Sequence, residues 1–174
     1  ASGAARYALP ADLPAATVRF RLARRLAEAE LRALLDRLSD DPRLTGDEAR
    51  SRARSALARY AAGCLVLPYD RVLEAAETTR YDVDAIAARF GASFEQVAHR
   101  LVTLRRPDAE GIPFAFMRTD PAGNVSKRYS IPGLRMPHVS GACPLWVVYA
   151  AFTTPGETRT QMVEMPGGER FLFV

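Results

Sequence analysis

The sequence predicts an α+β protein. A helical body over residues 1–106 is followed by a smaller, hairpin-rich α+β part over residues 107–174. Three observations carry this. Apolar residues recur at helical spacing from Val18 to Leu104 with few interruptions. At Pro107 the composition changes to short aromatic and β-branched runs separated by Pro- and Gly-containing turns. Between the two, residues 80–106 hold two short amphipathic segments joined at Gly91, which is helix-turn-helix grammar.

Taken in order, residues 1–16 are Ala- and Pro-rich and read as irregular. From Val18 to about Leu38 one helix is expected, because Phe20, Leu22, Ala23, Leu26, Ala27, Leu31, Leu34 and Leu35 keep its spacing. SDDPRL (39–44) is a loop. Thr45 and Glu48 form a capping box that opens a helix running to about Leu65, and Pro68 ends it. Its inward residues are expected to be Ala49, Ala53, Ala56, Leu57, Tyr60, Ala61 and Cys64. LPYD is a turn, and a short helix from Val72 to Ala76 precedes the central pair.

In that pair, Val83, Ile86, Ala87 and Phe90 form the apolar stripe of the first helix. Gly91 stands where the chain must turn left-handed. Ser93 and Gln96 make a Ser-x-x-Gln capping box for the second helix. Phe94, Val97, Leu101 and Leu104 share one face of it, and Glu95, His99, Arg100 and Thr103 the polar one. In a DNA reader the polar face meets base edges and phosphates. The plainer reading, a structural corner of a helical domain, is favoured because such helix pairs are common.

In the second part, IPFAFMRTD and VSKRYSI flank PAGN and read as a hairpin. PGLRMPHVSG is a loop. Cys143 and Pro144 open a helix on which Leu145, Trp146, Val148 and Tyr149 pack. TRTQMVEM and ERFLFV flank PGG as a second hairpin. The sequence begins without Met and stops inside an apparent strand, so an excerpt of a longer protein is expected.

Hydrophobic residues at 48% and charged residues at 25% give an ordinary globular balance. There is no stretch apolar enough to span a bilayer and no signal-peptide pattern, so a cytoplasmic protein without membrane contact is expected. The net charge of +4 favours anionic partners. However, Lys127 is the only lysine among 24 basic residues, and that bias looks genomic rather than like a selected basic patch. The two cysteines, Cys64 and Cys143, form no CxxC pair, and no disulfide is expected. With only His99 and His138, and no HExxH, GxSxG, Walker or GxGxxG motif, no enzyme is visible. Lys127-Arg128 is the densest cationic spot of the second part, and with Arg100, Arg105 and Arg106 it could hold phosphates. The plainer reading of such charges is a solvated face.

FRLARRLAE (20–28) resembles the F-x-L-A-H-E-L-G-H helix of the ImmA/IrrE-like metallopeptidase family of bacterial regulators. YAAGCLVLPYD (60–70) and RYDVDAIAARFGASFEQVAHRLVTLRRP (80–107) resemble the segments that follow in that family. More specifically, GIPFAFMRTDPAGNVSKRYS (111–130) and GACPLWVVYAAFTTPG (141–156) resemble the C-terminal domain of the short-chain fatty-acyl-CoA regulators, which are transcription factors. Where the peptidase has two zinc histidines and a glutamate, this sequence has Arg24, Arg25 and Glu28. No carboxylate lies between Glu48 and Asp70 as a third ligand. Zinc cannot be held by permanently cationic guanidiniums. The resemblance therefore implies a degenerate peptidase-like body and no enzyme.

The resemblance also implies function: the effector-sensing region of a bacterial transcription regulator of carbon and fatty-acid metabolism genes, binding a short-chain acyl-CoA. The alternative is a DNA-binding module using residues 82–104, with an active peptidase a distant third. The acyl-CoA is expected between the helical body and the β-rich part. Its phosphates need cations, for which Arg100, Lys127 and Arg128 are candidates and Arg106 a weaker one. Lys127 and Arg128 are strand neighbours facing opposite ways, so one of them is expected to touch phosphate. Phe114, Phe116, Trp146 and Tyr149 are candidates for the apolar end, although aromatics more often serve as core. No tightly bound cofactor is expected in this chain. Cys143 matches a family cysteine and would contribute to an iron–sulfur cluster only in a full-length protein. DNA would be read by a separate N-terminal domain, and homo-oligomers are expected because readers of palindromes are usually dimers.

Overall fold

A computed structural model describes residues 6–134 and 146–174. The described residues form seven helices and three two-stranded antiparallel sheets, so the α+β expectation holds. The chain divides into two compact units, Ala1–Arg100 and Leu101–Val174.

The first unit opens with α1 (Ala15–Glu30) and α2 (Arg32–Ser39). One continuous helix was expected here, but the chain breaks at Leu31. The break needs no Gly or Pro. Leu31 leaves helical geometry (φ −103°, ψ 18°) while its N–H still donates to Ala27 and its carbonyl still accepts from Leu35. Ala27 and Leu35 are buried, whereas Leu22, Leu26, Leu34 and Leu38 keep 39–53% of their surface exposed. The expected stripe is therefore only half used.

α3 (Asp47–Val66) packs against α1 and α2. Its expected Thr45 cap is not made. Gly46 takes the N-cap position at φ +94°, a conformation that residues with a Cβ rarely adopt. Asp47 and Glu48 lie in the first turn, where the helix dipole favours negative charge. Glu48 reaches forward to Arg52 (2.6 Å) rather than back to a cap. The helix is also rotated from its expected phase. Ala58 and Ala62 are fully buried, while Ala56 and Tyr60 are exposed. Small residues at i, i+4 permit close helix approach, and Arg54 ties α3 to Asp36 of α2 at 2.6 Å.

α4 (Tyr69–Thr78) starts directly after Pro68 and is longer than expected, burying Val72, Ala75 and Ala76. α5 (Val83–Phe90) and α6 (Phe94–Val102) follow. Asp82 caps α5 by accepting from the Ala85 N–H (2.9 Å), and Gly91 ends it in the left-handed region (φ 58°, ψ 37°). The Ser93–Gln96 capping box is reciprocal: Gln96 N–H donates to Ser93 Oγ (3.2 Å) and Ser93 N–H to Gln96 Oε1 (3.0 Å). Val97, Leu101 and Leu104 are buried as expected; Phe94 is 43% exposed and is not.

In the second unit, β1 (Arg105–Arg106) and β2 (Ala109–Glu110) close a tight hairpin through Asp108 at positive φ, which was not expected. β3 (Phe116–Thr119) and β4 (Val125–Tyr129) form the hairpin expected around PAGN. A helix stands where one was expected, but α7 (Val147–Thr153) opens at Val147 and not at Cys143-Pro144, because Trp146 is extended (φ −74°, ψ 143°) ahead of its first turn. Residues 135–145, with Cys143, Pro144 and Leu145, lie outside the described residues. β5 (Gln161–Glu164) and β6 (Arg170–Phe173) form the expected second hairpin. No helix among the described residues is long and apolar enough to cross a membrane.

Candidate functional site: a vestigial metal position and a cationic, aromatic hairpin

The helix that would carry zinc ligands in a peptidase is closed on itself. Arg24 Nε donates to Glu28 Oε1 (2.8 Å) and Arg25 Nη1 to Glu28 Oε2 (3.1 Å). The pairs follow from helix geometry, since residues three and four apart share a face. Arg24 also reaches Ser55 Oγ on α3 at 3.3 Å. One carboxylate thus holds two guanidiniums, and the arrangement cross-links α1 to α3. Among the described residues no three His, Cys, Asp or Glu side chains come together to hold a metal ion.

The α5–α6 pair is tied into the helical unit. Arg19 Nη1 donates to the Phe90 carbonyl (2.5 Å), and Gln96 Nε2 to the Ala16 carbonyl (3.3 Å). Arg100 was expected on the polar face of α6. Instead it is 4% exposed. Its Nε donates to the Leu67 carbonyl (2.8 Å), its Nη1 to Cys64 Sγ (3.4 Å), and its guanidinium lies 5.4 Å from the centre of the Tyr69 ring. The physical reason is the end of α3. Leu67 is the residue after that helix, the carbonyls there lack helical partners, and the helix dipole is negative at that end. The buried guanidinium gives the Leu67 carbonyl such a partner. Glu95, His99 and Thr103 are half-buried and each engaged in further interactions.

In the second unit the β3–β4 register decides which side chains meet. Phe116 pairs with Tyr129, Met117 with Arg128, and Arg118 with Lys127. Opposed residues share a face and alternate residues change face. One face therefore carries Phe116, Tyr129, Arg118 and Lys127, and the other carries Arg128 beside Met117. Lys127 and Arg128 do point to opposite faces. The Phe116 and Tyr129 ring centres lie 6.5 Å apart, tilted by 32°. Arg118 Nε donates to Ser126 Oγ (2.8 Å), which holds the guanidinium along the strand. Arg118 was not among the sequence candidates. The register shifts by one residue between Arg118 and Thr119, so simple alternation carried across the turn from Thr119–Val125 would set Arg118 opposite Ser126, and the Lys127 pairing was not legible from spacing.

The turn itself is built by Asp120, which accepts from the Asn124 side chain (2.8 Å) and the Asn124 N–H (2.9 Å). These bonds, the side-chain one first, hold its carboxyl below the usual carboxylate range. The remaining candidates lie elsewhere in this unit. Arg106 is exposed on β1, and Phe114 is half-buried ahead of β3. Trp146 packs edge-on against Phe173 (centres 5.1 Å, 83°), and Tyr149 is half-buried on α7.

Residues 8–102 match the family model described as the IrrE N-terminal-like domain, and residues 103–174 the one described as short-chain fatty acyl coenzyme A regulator, C-terminal. The chain belongs to this family. Its peptidase-like domain is a degenerate member, with Arg24, Arg25 and Glu28 bound to one another where an enzyme would hold its metal. Among similar proteins, the HTH-type transcriptional regulator RamB of Mycobacterium tuberculosis is 44% identical over 89% of this chain and 33% of its own length. The propionyl-CoA carboxylase regulator of Cereibacter sphaeroides is 45% identical over 95% of this chain and 36% of its own. The HTH-type transcriptional regulator PrpR of Mycobacterium tuberculosis is 50% identical over 73% of this chain and 26% of its own. A solved Mycobacterium tuberculosis transcriptional regulator superposes with a TM-score of 0.87 at 42% identity, covering 94% of this chain and 50% of that one. The chain thus spans about a third of the length of the curated relatives it matches.

Proposed function

We propose that this chain is the effector-sensing region of a transcription regulator of carbon and fatty-acid metabolism genes, and that its effector is a short-chain acyl-CoA. The observation that carries the reading is the match of residues 103–174 to a family whose description names that ligand class. The β3–β4 hairpin supports it with cations on both faces and an aromatic pair on one. Coenzyme A presents several phosphate charges, and charge-assisted bonds from Lys and Arg suit them. Lys127 and Arg128 are the first candidates and Arg106 the next. Arg100, held inside the helical unit by Leu67 and Cys64, has the weakest claim on a ligand. Phe114, Phe116, Trp146 and Tyr149 offer apolar surface for the rest of the molecule.

On the same reading the protein is cytoplasmic and acts as a homo-oligomer. It meets DNA through a separate N-terminal domain, and an iron–sulfur cluster involving Cys143 belongs to a longer chain. The alternative, direct DNA reading by residues 82–104, gains no support from a face whose Arg100 is buried. Calorimetric titration with propionyl- and acetyl-CoA tests the proposal. Binding by wild type, weakened about ten- to a hundredfold in a Lys127→Ala/Arg128→Ala double variant, is expected from the loss of one charge-assisted contact. Absence of binding at millimolar ligand overturns it.

A further inference from the structure

Much of the apolar stripe on α1 and α2 lies outside the core. Leu22, Leu26, Leu31, Leu34 and Leu38 keep 36–53% of their surface exposed. A single exposed leucine is ordinary, but several along one helical arm are the kind of surface that marks an interaction site. Helical hydrogen bonds run through the break, from Leu31 N–H to Ala27 and from Leu35 N–H to Leu31, so helical spacing carries from α1 into α2. Leu26, Glu30 and Leu34 therefore follow one another at i, i+4, i+8 on one face, and Arg37 stands at i+7 from Glu30 on the same face. An exposed acid and an exposed base thus lie on the leucine face itself, with Ala33 and Leu34 between them.

Neither charge is used inside the chain. The residues three and four positions from Glu30 are Leu26, Ala27, Ala33 and Leu34, so no base lies within its helical reach. The acids within reach of Arg37 are Asp40 and Asp41, and both are taken: Asp40 by Arg50 at 2.8 Å and Asp41 by Arg43 at 2.6 Å. Neither the Glu30 nor the Arg37 side chain has an ion-pair or hydrogen-bond partner among the described residues.

We infer that this face docks a second copy of the chain, with the two α1–α2 arms antiparallel about a two-fold axis beside Ala33 and Leu34. A two-fold interface is self-complementary, so each Glu30 comes opposite the partner's Arg37 and each Arg37 opposite the partner's Glu30. The exposed leucines then pack as a short seam whose flanking charges set its orientation, as in a coiled coil. Parallel arms would set Glu30 against Glu30 and Arg37 against Arg37. A partner of a single charge sign would satisfy one of the two and repel the other, whereas a second copy supplies both. The inference gives the homo-oligomer proposed above a surface; it rests on that part of the reading and not on the ligand. The leucines run along about 24 Å of helix. One helix face of that length offers less than the roughly 800 Å² per partner of a standard stable interface, so this contact alone should be weak, micromolar or looser.

The test is analytical sedimentation of the whole chain over a concentration series reaching millimolar, with circular dichroism of each variant to check that helix is kept. Wild type is expected to pass from monomer to dimer. Leu34→Asp, at a position 39% exposed, should stay folded and monomeric. Glu30→Arg and Arg37→Glu should each weaken the dimer about tenfold or more, because symmetry turns one reversal into two repulsive contacts. The Glu30→Arg/Arg37→Glu double variant should regain most of that loss, a rescue that purely apolar docking would not show. A dimer that none of these variants weakens puts the homo-oligomer on another surface and overturns the assignment. A dimer lost in Leu34→Asp but indifferent to both charge reversals overturns the antiparallel pairing. Wild type monomeric throughout overturns both this surface and self-association of the chain, and leaves the ligand reading to its own titration.

Discussion

The two units differ in how they are held together. In the helical unit, Ala27, Leu35, Ala58, Ala62, Leu67, Val72, Ala75, Ala76, Ile86 and Val97 are buried almost completely, and Arg100 joins them with its donors satisfied. In the second unit, outside the end of α6 and residues up to Leu104, Leu134 is the only large apolar side chain among the described residues that is buried. Strands β3 to β6 and helix α7 are half-buried or exposed throughout. Their ties are cross-strand pairs, a turn built on Asp120, and single ring contacts. A two-stranded hairpin is marginal in water by itself. The contrast teaches a division of labour. The former peptidase body is packed and its chemistry closed off, while the hairpin part has stability still to gain from a ligand that binds only its folded form.

The sharpest way to break this comparison is to shorten an aliphatic side chain in each unit. Ile86→Ala should destabilise the chain by about 2–5 kcal/mol, the range for a buried aliphatic reduced to Ala. Leu172→Ala, at a position 62% exposed, should stay within about 0.5 kcal/mol. Denaturant unfolding measures both, and equal losses would erase the distinction. Arg100→Ala comes next. It should cost about 1.5–3 kcal/mol through a lost charged hydrogen bond to the Leu67 carbonyl. Arg100→Lys should recover only part of that, because an ammonium cannot donate along both directions and cover the Tyr69 ring in the same way. A thermal melt unchanged by Arg100→Ala would mean the guanidinium is not a structural tie.

Gly91→Ala and Ser93→Ala probe the joint of α5 and α6. A Cβ on Gly91 would meet Arg19 Nη2 at 2.7 Å in a left-handed backbone, a cost of about 1–2 kcal/mol. Loss of the Ser93 cap should cost about 0.5–2 kcal/mol. The smallest effect is acid loosening of the β3–β4 turn. The pKa of Asp120 is lowered by folding, so its contribution is present above the ordinary carboxylate range. It is lost as pH falls through the lowered value. Faster amide exchange in residues 116–129 of wild type at low pH, with Asp120→Ala already fast near neutrality, is the expected outcome. Exchange in α3 should not follow it.

What could be read from sequence was local. The short helix carrying Val83 to Phe90, its left-handed Gly91 and the Ser93–Gln96 box depend on residues within a few positions of each other, and all three stand as read. The break at Leu31 was not legible, because no Gly or Pro marks it. The Thr45 cap failed because Gly46, the next residue, could take a backbone angle that moved the helix start by one position. The α3 face was misjudged because its eight Ala and Leu residues, spread around the helix, leave its phase to the neighbours it packs on. For the candidate site, the opposed directions of Lys127 and Arg128 followed from strand alternation alone. Arg118 and the burial of Arg100 depend on partners 9 and 33 residues away, across a turn and at the end of another helix. Such pairings are set by register and packing, not by spacing.

Hydrogen–deuterium exchange of the whole chain with and without saturating propionyl-CoA tests the division of labour most directly. Protection is expected to rise in residues 116–129 and to stay unchanged in α3. Unchanged exchange throughout, or added protection confined to the helical unit, would contradict it.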